Sequence, residues 1–313
     1  MYIKYVFSGH ESFPCRMLWP IKGYDYIVEG NNFNDPNSVV ELGVGKNMVA
    51  SIRYWLKVLG LTEQDKSTPI ANYLFDKENG KDRYIESLGT LWLLHFLLVA
   101  TQEATLYNIL FLRYQKERKQ FDKEQIQNYV KRLMTEDNKQ KQFNANTVGK
   151  DFGVLTQNYA QPSSPKSYED YSSLLIDLNL IRHDRTDKSF AFNIDGKRSV
   201  PLEIFFYAIL TMKGEDRTVS YDILQNVGLI FCMTDIEVIE MMQQISVEYS
   251  EYVQYSDNAG IRQLLFKEGK NIEPTGQTHQ NYSDKNCNIS NCKALIINAL
   301  DLLMLDKFRI FIV

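Results

Sequence analysis

The sequence predicts a mainly α-helical protein with small β-hairpins, an α+β class built from tandem winged-helix-like units. Three observations predict it. Apolar side chains recur at helical spacing through most of the chain. Hairpin-type turns such as Asn79-Gly80 follow several of those helical stretches. The order of helices and then a hairpin comes round three times, which sets units at residues 1–87, 88–200 and 201–268 and leaves a divergent tail at 269–313. Periodicity alone leaves a second reading open, a single helical protein with incidental hairpins.

The first unit opens on the segment FSGHESFPCR (7–16). In ELGVGKNMVASIRYWLKVLGL (41–61) a Gly-Val-Gly turn precedes apolar Met48, Val49, Ile52, Trp55, Leu56 and Leu59, a helical stripe that Gly60 terminates. Lys46, Ala50, Arg53 and Lys57 fall on the opposite face within about 60° of one another, at about 100° per residue. A helix that is apolar behind and basic in front, after a short turn, has the layout of a DNA-reading helix. ANYLFDKENGKDRYI (71–85) reads as two short strands around Glu78-Asn79-Gly80.

In the second unit LGTLWLLHFLLVA (88–100) reads as a buried helix. ATLYNILF and FDKEQIQNYVKRLM are helices too, the latter capped by Asp122. In NANTVGKDFGVLTQNYA (144–160) Val148, Phe152, Leu155 and Tyr159 share a stripe, and a strand–turn–strand follows around Asp184 to Lys188. The third unit begins at Pro201, which suits a first helical position, and continues through VSYDILQNVG. Thr234 caps the helix TDIEVIEMMQQISVEY, and a hairpin turns at Asp257 to Gly260. The presumed reading helices differ in charge: basic Lys46, Arg53 and Lys57 in the first, Lys150 beside Asp151 in the second, and Asp235, Glu237 and Glu240 in the third. An acidic face repels phosphate, so the first unit is the expected DNA reader and the third a scaffold or protein-binding unit.

Bulk composition narrows the class. A formal charge of −4 over 313 residues excludes a uniformly basic nucleic-acid coat while allowing local basic patches. With 44% apolar and 12% aromatic residues, the chain has material for large cores. Lys4, His10, Glu11 and Arg16 interrupt the first apolar stretch, which argues against a secretory signal. The apolar run 294–313 carries Asp301, Asp306, Lys307 and Arg309, a poor membrane span. Four scattered cysteines fit a reducing cytoplasm, the expected location.

The chemistry-bearing motifs are sparse. Gly45-Lys46 resembles the end of a phosphate loop, but Val40 stands where its first glycine belongs and Asn47 where a magnesium-holding Ser or Thr belongs. The helix start there still offers free N–H groups to a DNA phosphate, beside Lys46 and Asn47. His279, Cys287 and Cys292 lack a fourth ligand and zinc-like spacing, so no metal site is expected. His95 within WLLHFLL reads as a hydrogen-bonded core histidine, and His183 as part of a solvated or phosphate-facing wing. In the opening segment, Cys15 with His10 as base lacks an orienting third group. Metal-assisted phosphodiester hydrolysis calls for several carboxylates, and Glu11 is the only one before Asp25. Phe7, Phe13, Met17, Leu18 and Trp19 equally suit an anchored segment in which Arg16 meets Glu11 or a phosphate.

FSGHESFPCR (7–16), ELGVGKNMVASIRYW (41–55), LGTLWLLHF (88–96) and NAGIRQL (258–264) together resemble the bacterial family known as domain of unknown function 4007. The resemblance spans about residues 5 to 268, and the tail after Gly269 departs from it. It implies an accessory component of a DNA phosphorothioation or defence system, with DNA and the proteins of a sulfur-modifying complex as partners. The expected role is duplex binding through Lys46, Asn47, Arg53, Lys57 and Lys150. The alternatives are a nickase assisted by magnesium or manganese, with His10, Glu11 and Arg16 as the residues to test, or a scaffold that binds no DNA. No cofactor is evident in the sequence itself.

Overall fold

A computed structural model describes residues 4–162, 172–184, 186, 187, 189–196, 199–214, 216–258 and 260–267. The chain divides into two compact units, Met1–Ile194 and Asp195–Val313. The expected boundary between residues 87 and 88 falls inside the first of them. The tail expected at 269–313, with His279, Cys287 and Cys292, lies outside the described residues.

The first unit begins with an extended segment that leads into α1 (Trp19–Val28), a short α2 (Ser38–Glu41) and α3 (Lys46–Val58). Gly45 caps α3 in an extended conformation, so Glu41 to Val44 stay outside the helix. Val49, Ile52, Trp55, Leu56 and Val58 are its buried stripe, as the periodicity predicts. α1 crosses α3 closely at Gly23, where a Cβ would stand 2.5 Å from Leu56 Cδ1. A side chain at position 23 would have to displace the Leu56 and Ile52 side chains of α3.

The first hairpin is not the one expected. Residues 71–85 contain no strand; α4 (Pro69–Phe75) occupies their start instead. Thr68 caps α4 by accepting the Ala71 N–H, and Pro69 sits in its first turn, where its missing N–H costs nothing. The Asp76 carboxylate then accepts the N–H groups of Glu78 and Asn79, a side-chain turn that replaces the hairpin expected at Asn79-Gly80. The hairpin falls earlier, between β1 (Thr62–Glu63) and β2 (Lys66–Ser67). Its two loop residues, Gln64 and Asp65, both have positive φ (51° and 59°), the twist a two-residue hairpin loop needs.

α5 (Leu88–Ala100) is buried on nearly every side, the signature of a core helix. His95 shares a 2.7 Å hydrogen bond with the Tyr159 hydroxyl, the core histidine the sequence predicts. α6 (Thr105–Ile109) runs through a π-helical turn (Leu110–Tyr114) into α7 (Gln115–Glu117). Then come β3 (Gln120–Phe121), α8 (Lys123–Glu136) capped by Asp122, and α9 (Ala145–Tyr159) capped by Asn144. β4 (Ile181–His183) and β5 (Phe190–Phe192) close a sheet in the order β3-β5-β4. Phe111 packs edge to face with Tyr159 and with Phe192, as does Phe121 with Phe152. Each such pair adds about 0.5–1.5 kcal/mol to its area burial.

The second unit repeats the strand–helix–helix–hairpin part of this order after a single helix. α10 (Leu202–Met212) is followed by β6 (Thr218–Ser220), α11 (Tyr221–Ile230), α12 (Asp235–Glu248) and the hairpin β7 (Val253–Asn258) and β8 (Ile261–Phe266). Its sheet order β6-β8-β7 matches β3-β5-β4: the first strand pairs with the third. Pro201 is the N-cap of α10 rather than its first helical residue. Thr234 and Glu237 form a reciprocal capping box on α12. Among the described residues, no helix is long and apolar enough to cross a membrane.

Candidate nucleic-acid interface

The opening decapeptide folds as a tight loop against α3. Ser8, Gly9, Glu11 and Ser12 all have positive φ, between 49° and 102°. Three non-glycine residues held left-handed in so short a stretch require outside bonds to keep them there. Asp151 on α9 supplies them: its carboxylate accepts the Ser8 N–H (3.0 and 3.1 Å) and lies 2.9 Å from His10 Nε2. His10 Nδ1 accepts the Ser12 N–H at 3.0 Å, which places the ring proton on Nε2 and aims it at Asp151. Ser51 of α3 donates to the His10 carbonyl and Trp55 Nε1 to the Phe13 carbonyl. At Gly9 a Cβ would stand 2.7 Å from the Tyr54 ring, so the loop lies directly on α3.

This folding separates the three residues expected to act together. His10 is buried with both ring nitrogens engaged inside the protein. Glu11 is exposed. Arg16 pairs its backbone with Ser173 and lays its guanidinium 5.6 Å from the Trp19 ring centre. Cys15 is buried, its N–H donated to Asn158 Oδ1, and burial pushes its thiol well up, away from nucleophilic character.

Beside the loop runs a cleft of about 1210 Å³. Gly9 and Glu11 form one part of its wall, Phe33 to Asp35 and Val39 another, and the exposed side of α3 its floor. Lys46, Asn47, Arg53 and Lys57 all line it, with Thr62, Gln64 and Asp65 of the first hairpin. Four of the five residues expected to contact DNA therefore share one concave surface. Lys150 does not; it is exposed on α9, next to the Asp151 that holds the loop.

The cleft is charge-balanced rather than basic: Lys46, Arg53 and Lys57 share its lining with Glu11, Asp35 and Asp65. Arg53 donates from Nε to Asp65 Oδ1 (2.9 Å), from Nη2 to Asp65 Oδ2, and from Nη1 to Asn34 Oδ1 (3.0 Å). This fork, chiefly the hydrogen bonds to Asp65, pushes the Arg53 pKa up. Lys57 Nζ lies 2.7 Å from Glu103 Oε2, and Lys4 Nζ lies 3.0 Å from Glu103 Oε1. Lys57 and then Lys4 hold the Glu103 carboxyl below its usual range. Among the described residues Lys46 is in no ion pair. Burial, with Asp151 and Glu103 nearby, pushes the Tyr54 phenol up.

Sequence reasoning missed Asp151, Asp65 and Glu103 as site residues. Asp65 carries a local signal, since Gln64-Asp65 sits where a two-residue turn divides two short polar strands. Asp151 and Glu103 carry none, because their partners lie far along the chain. His183 stacks on Phe190 with ring centres 4.7 Å apart. Among the described residues no group of three His, Cys, Asp or Glu side chains is placed to hold a metal ion.

The family described as "Protein of unknown function (DUF4007)" matches residues 7–282. Two similar solved structures are a "Magnesium ion-bound SspB crystal structure" and an "SspB crystal structure". The first has a TM-score of 0.74 and 24% identity, covering 84% of this chain and 84% of that one. The second has a TM-score of 0.73, with the same identity and coverage. At that identity the likeness establishes a shared fold. No curated protein sequence matches.

Proposed function

The chain belongs to the DUF4007 family, and from that premise we propose that it is the DNA-binding component of a bacterial DNA phosphorothioation or defence system. On this reading, duplex DNA lies in the α3 cleft. The observation that carries it is the gathering of Lys46, Asn47, Arg53 and Lys57 with the α3 N-terminus in one concave surface. Lys46 and the first-turn N–H groups meet a backbone phosphate, where the positive end of the helix dipole favours an anion. Asn47 and Gln64 offer amide donors and acceptors to base edges or sugar. At about 1210 Å³ the cleft also exceeds the range of about 300–1,000 Å³ usual for small-molecule pockets.

One of the two SspB crystal structures is magnesium ion-bound. Of the carboxylates along the cleft of this chain, Asp65 pairs with Arg53 and Asp35 accepts the Asn37 N–H. Magnesium or manganese, if it assists, would have to be held by fewer than three side chains of the described residues together with phosphate oxygens of the DNA. Nicking is tested separately, on supercoiled plasmid with magnesium or manganese. Nicking that persists in His10→Ala, Glu11→Ala and Arg16→Ala would remove those residues from that chemistry.

Fluorescence anisotropy of a labelled duplex tests the DNA reading. Lys46→Ala should weaken binding irrespective of base sequence and lower the slope of log K against log salt by about one. An unchanged slope would remove Lys46 from the interface, and absence of binding at low salt would end the DNA reading.

A second reading, docking of a protein partner, is favoured by α12. This helix contains no Lys or Arg, and its outward stripe carries exposed Ile236, Glu240, Gln243 and Val247. Exposures of 69% for Ile236 and 76% for Val247 are high for apolar residues aligned on one helix face.

A further inference from the structure

Two of the three cations lining the cleft are already occupied by carboxylates of the same chain. Arg53 is held by Asp65 in a two-point fork and by Asn34 on its remaining edge. Lys57 is held by Glu103, which Lys4 grips from its other oxygen. A carboxylate on a guanidinium or ammonium occupies the same donors a phosphate would use. None of these pairs is buried: side-chain exposure is 40% for both Arg53 and Asp65, and 58% for Lys57 against 25% for Glu103. Exposed pairs are individually weak and break for a better competitor.

We propose that Asp65 and Glu103 are affinity-setting residues of the interface, built-in counter-ions that DNA phosphates must displace from Arg53 and Lys57. This rests on the DNA reading above and adds a claim of opposite sign to the usual one: removing these side chains tightens binding. The ligand class follows from the chemistry. A single phosphate that displaces one carboxylate gains little, because it trades one ion pair for another. A duplex presents phosphates at regular spacing and releases its own condensed counter-ions as it engages several cations together. The exchange therefore favours a polyphosphate backbone over free nucleotides. The competing account makes Asp65 and Glu103 supports that hold Arg53 and Lys57 in a DNA-ready posture, and it predicts weaker binding on their removal.

The experiment measures Kd for a fluorescein-labelled duplex across a salt series, using the full-length chain and the near-isosteric variants Asp65→Asn, Glu103→Gln and their combination. Asn is well suited to position 65, whose φ is +59°. Thermal melting checks that each variant is folded. The expected result is binding tighter by about two- to fivefold for each single variant, the worth of one exposed ion pair. Salt dependence should steepen by up to about one unit per carboxylate removed. Inorganic phosphate should compete poorly against wild type and better against the double variant. Unchanged or weaker DNA binding in folded variants overturns the inference while leaving the DNA reading intact, because Lys46→Ala tests that reading independently. Failure of wild type and all variants to bind DNA at low salt overturns both.

Discussion

At the scale of single residues, Asp151 is the most consequential side chain of the first unit. It is buried, yet it accepts two bonds from the Ser8 backbone and faces the ring of His10. Without it two donors of the left-handed Ser8–Ser12 loop lose their acceptor. Asp151→Ala should therefore destabilise the protein by about 1–3 kcal/mol, the cost of leaving the buried His10 donor unsatisfied, since the exposed Ser8 N–H can turn to water. Urea denaturation measures this; a loss of only a few tenths would show that the loop does not depend on the contact. His10 and Glu11 stand out in the sequence as polar residues among aromatics, and their proximity invites a catalytic reading. The left-handed backbone at Glu11 turns the chain between them, so one is a buried latch and the other a wall of the cleft. The identity of the latching carboxylate is illegible in the sequence, because nothing local to residue 10 marks residue 151.

At the scale of elements, legibility follows the range of the forces involved. α8 and α12 are readable with their caps and α5 as a buried apolar run, because capping bonds join residues three apart and apolar patterns repeat every few positions. Thr234→Ala should cost about 1 kcal/mol through loss of the capping box, read as a lower denaturation midpoint with an unchanged m-value. A cost near zero would mean that packing alone holds the start of α12. The hairpin expected at Asn79-Gly80 fails where two local signals compete. Thr68-Pro69 starts a helix upstream, and Asp76 then satisfies the turn's N–H groups without a second strand. The repeated pattern in which the first strand pairs with the third, β3-β5-β4 and β6-β8-β7, is legible only as an order of elements. At two and three residues, β3 and β6 are too short to show a period.

At the scale of the whole molecule, chemistry is divided between two units, of which the second repeats only the strand–helix–helix–hairpin part of the first. The first exposes Lys46, Asn47, Arg53 and Lys57 along α3; the second exposes an acidic and apolar stripe along α12. If the α12 face docks a protein, Ile236→Asp combined with Val247→Asp should leave duplex affinity unchanged. It should also abolish co-purification with sulfur-modification proteins expressed alongside it. Retained co-purification would remove this face from the assembly. Composition and local pattern determined the mainly helical class, the positions of α3, α5, α8, α9, α10 and α12, the basic face of α3 and the family resemblance, since those depend on residues a few positions apart. Tertiary structure alone decided that His10 turns inward to Asp151, that Glu11 joins the wall of the α3 cleft, and that Asp65 and Glu103 neutralise Arg53 and Lys57. The physical reason is that hydrogen bonds and ion pairs depend on distance in space. Glu103 is far from Lys57 in the chain and 2.7 Å from it in the fold.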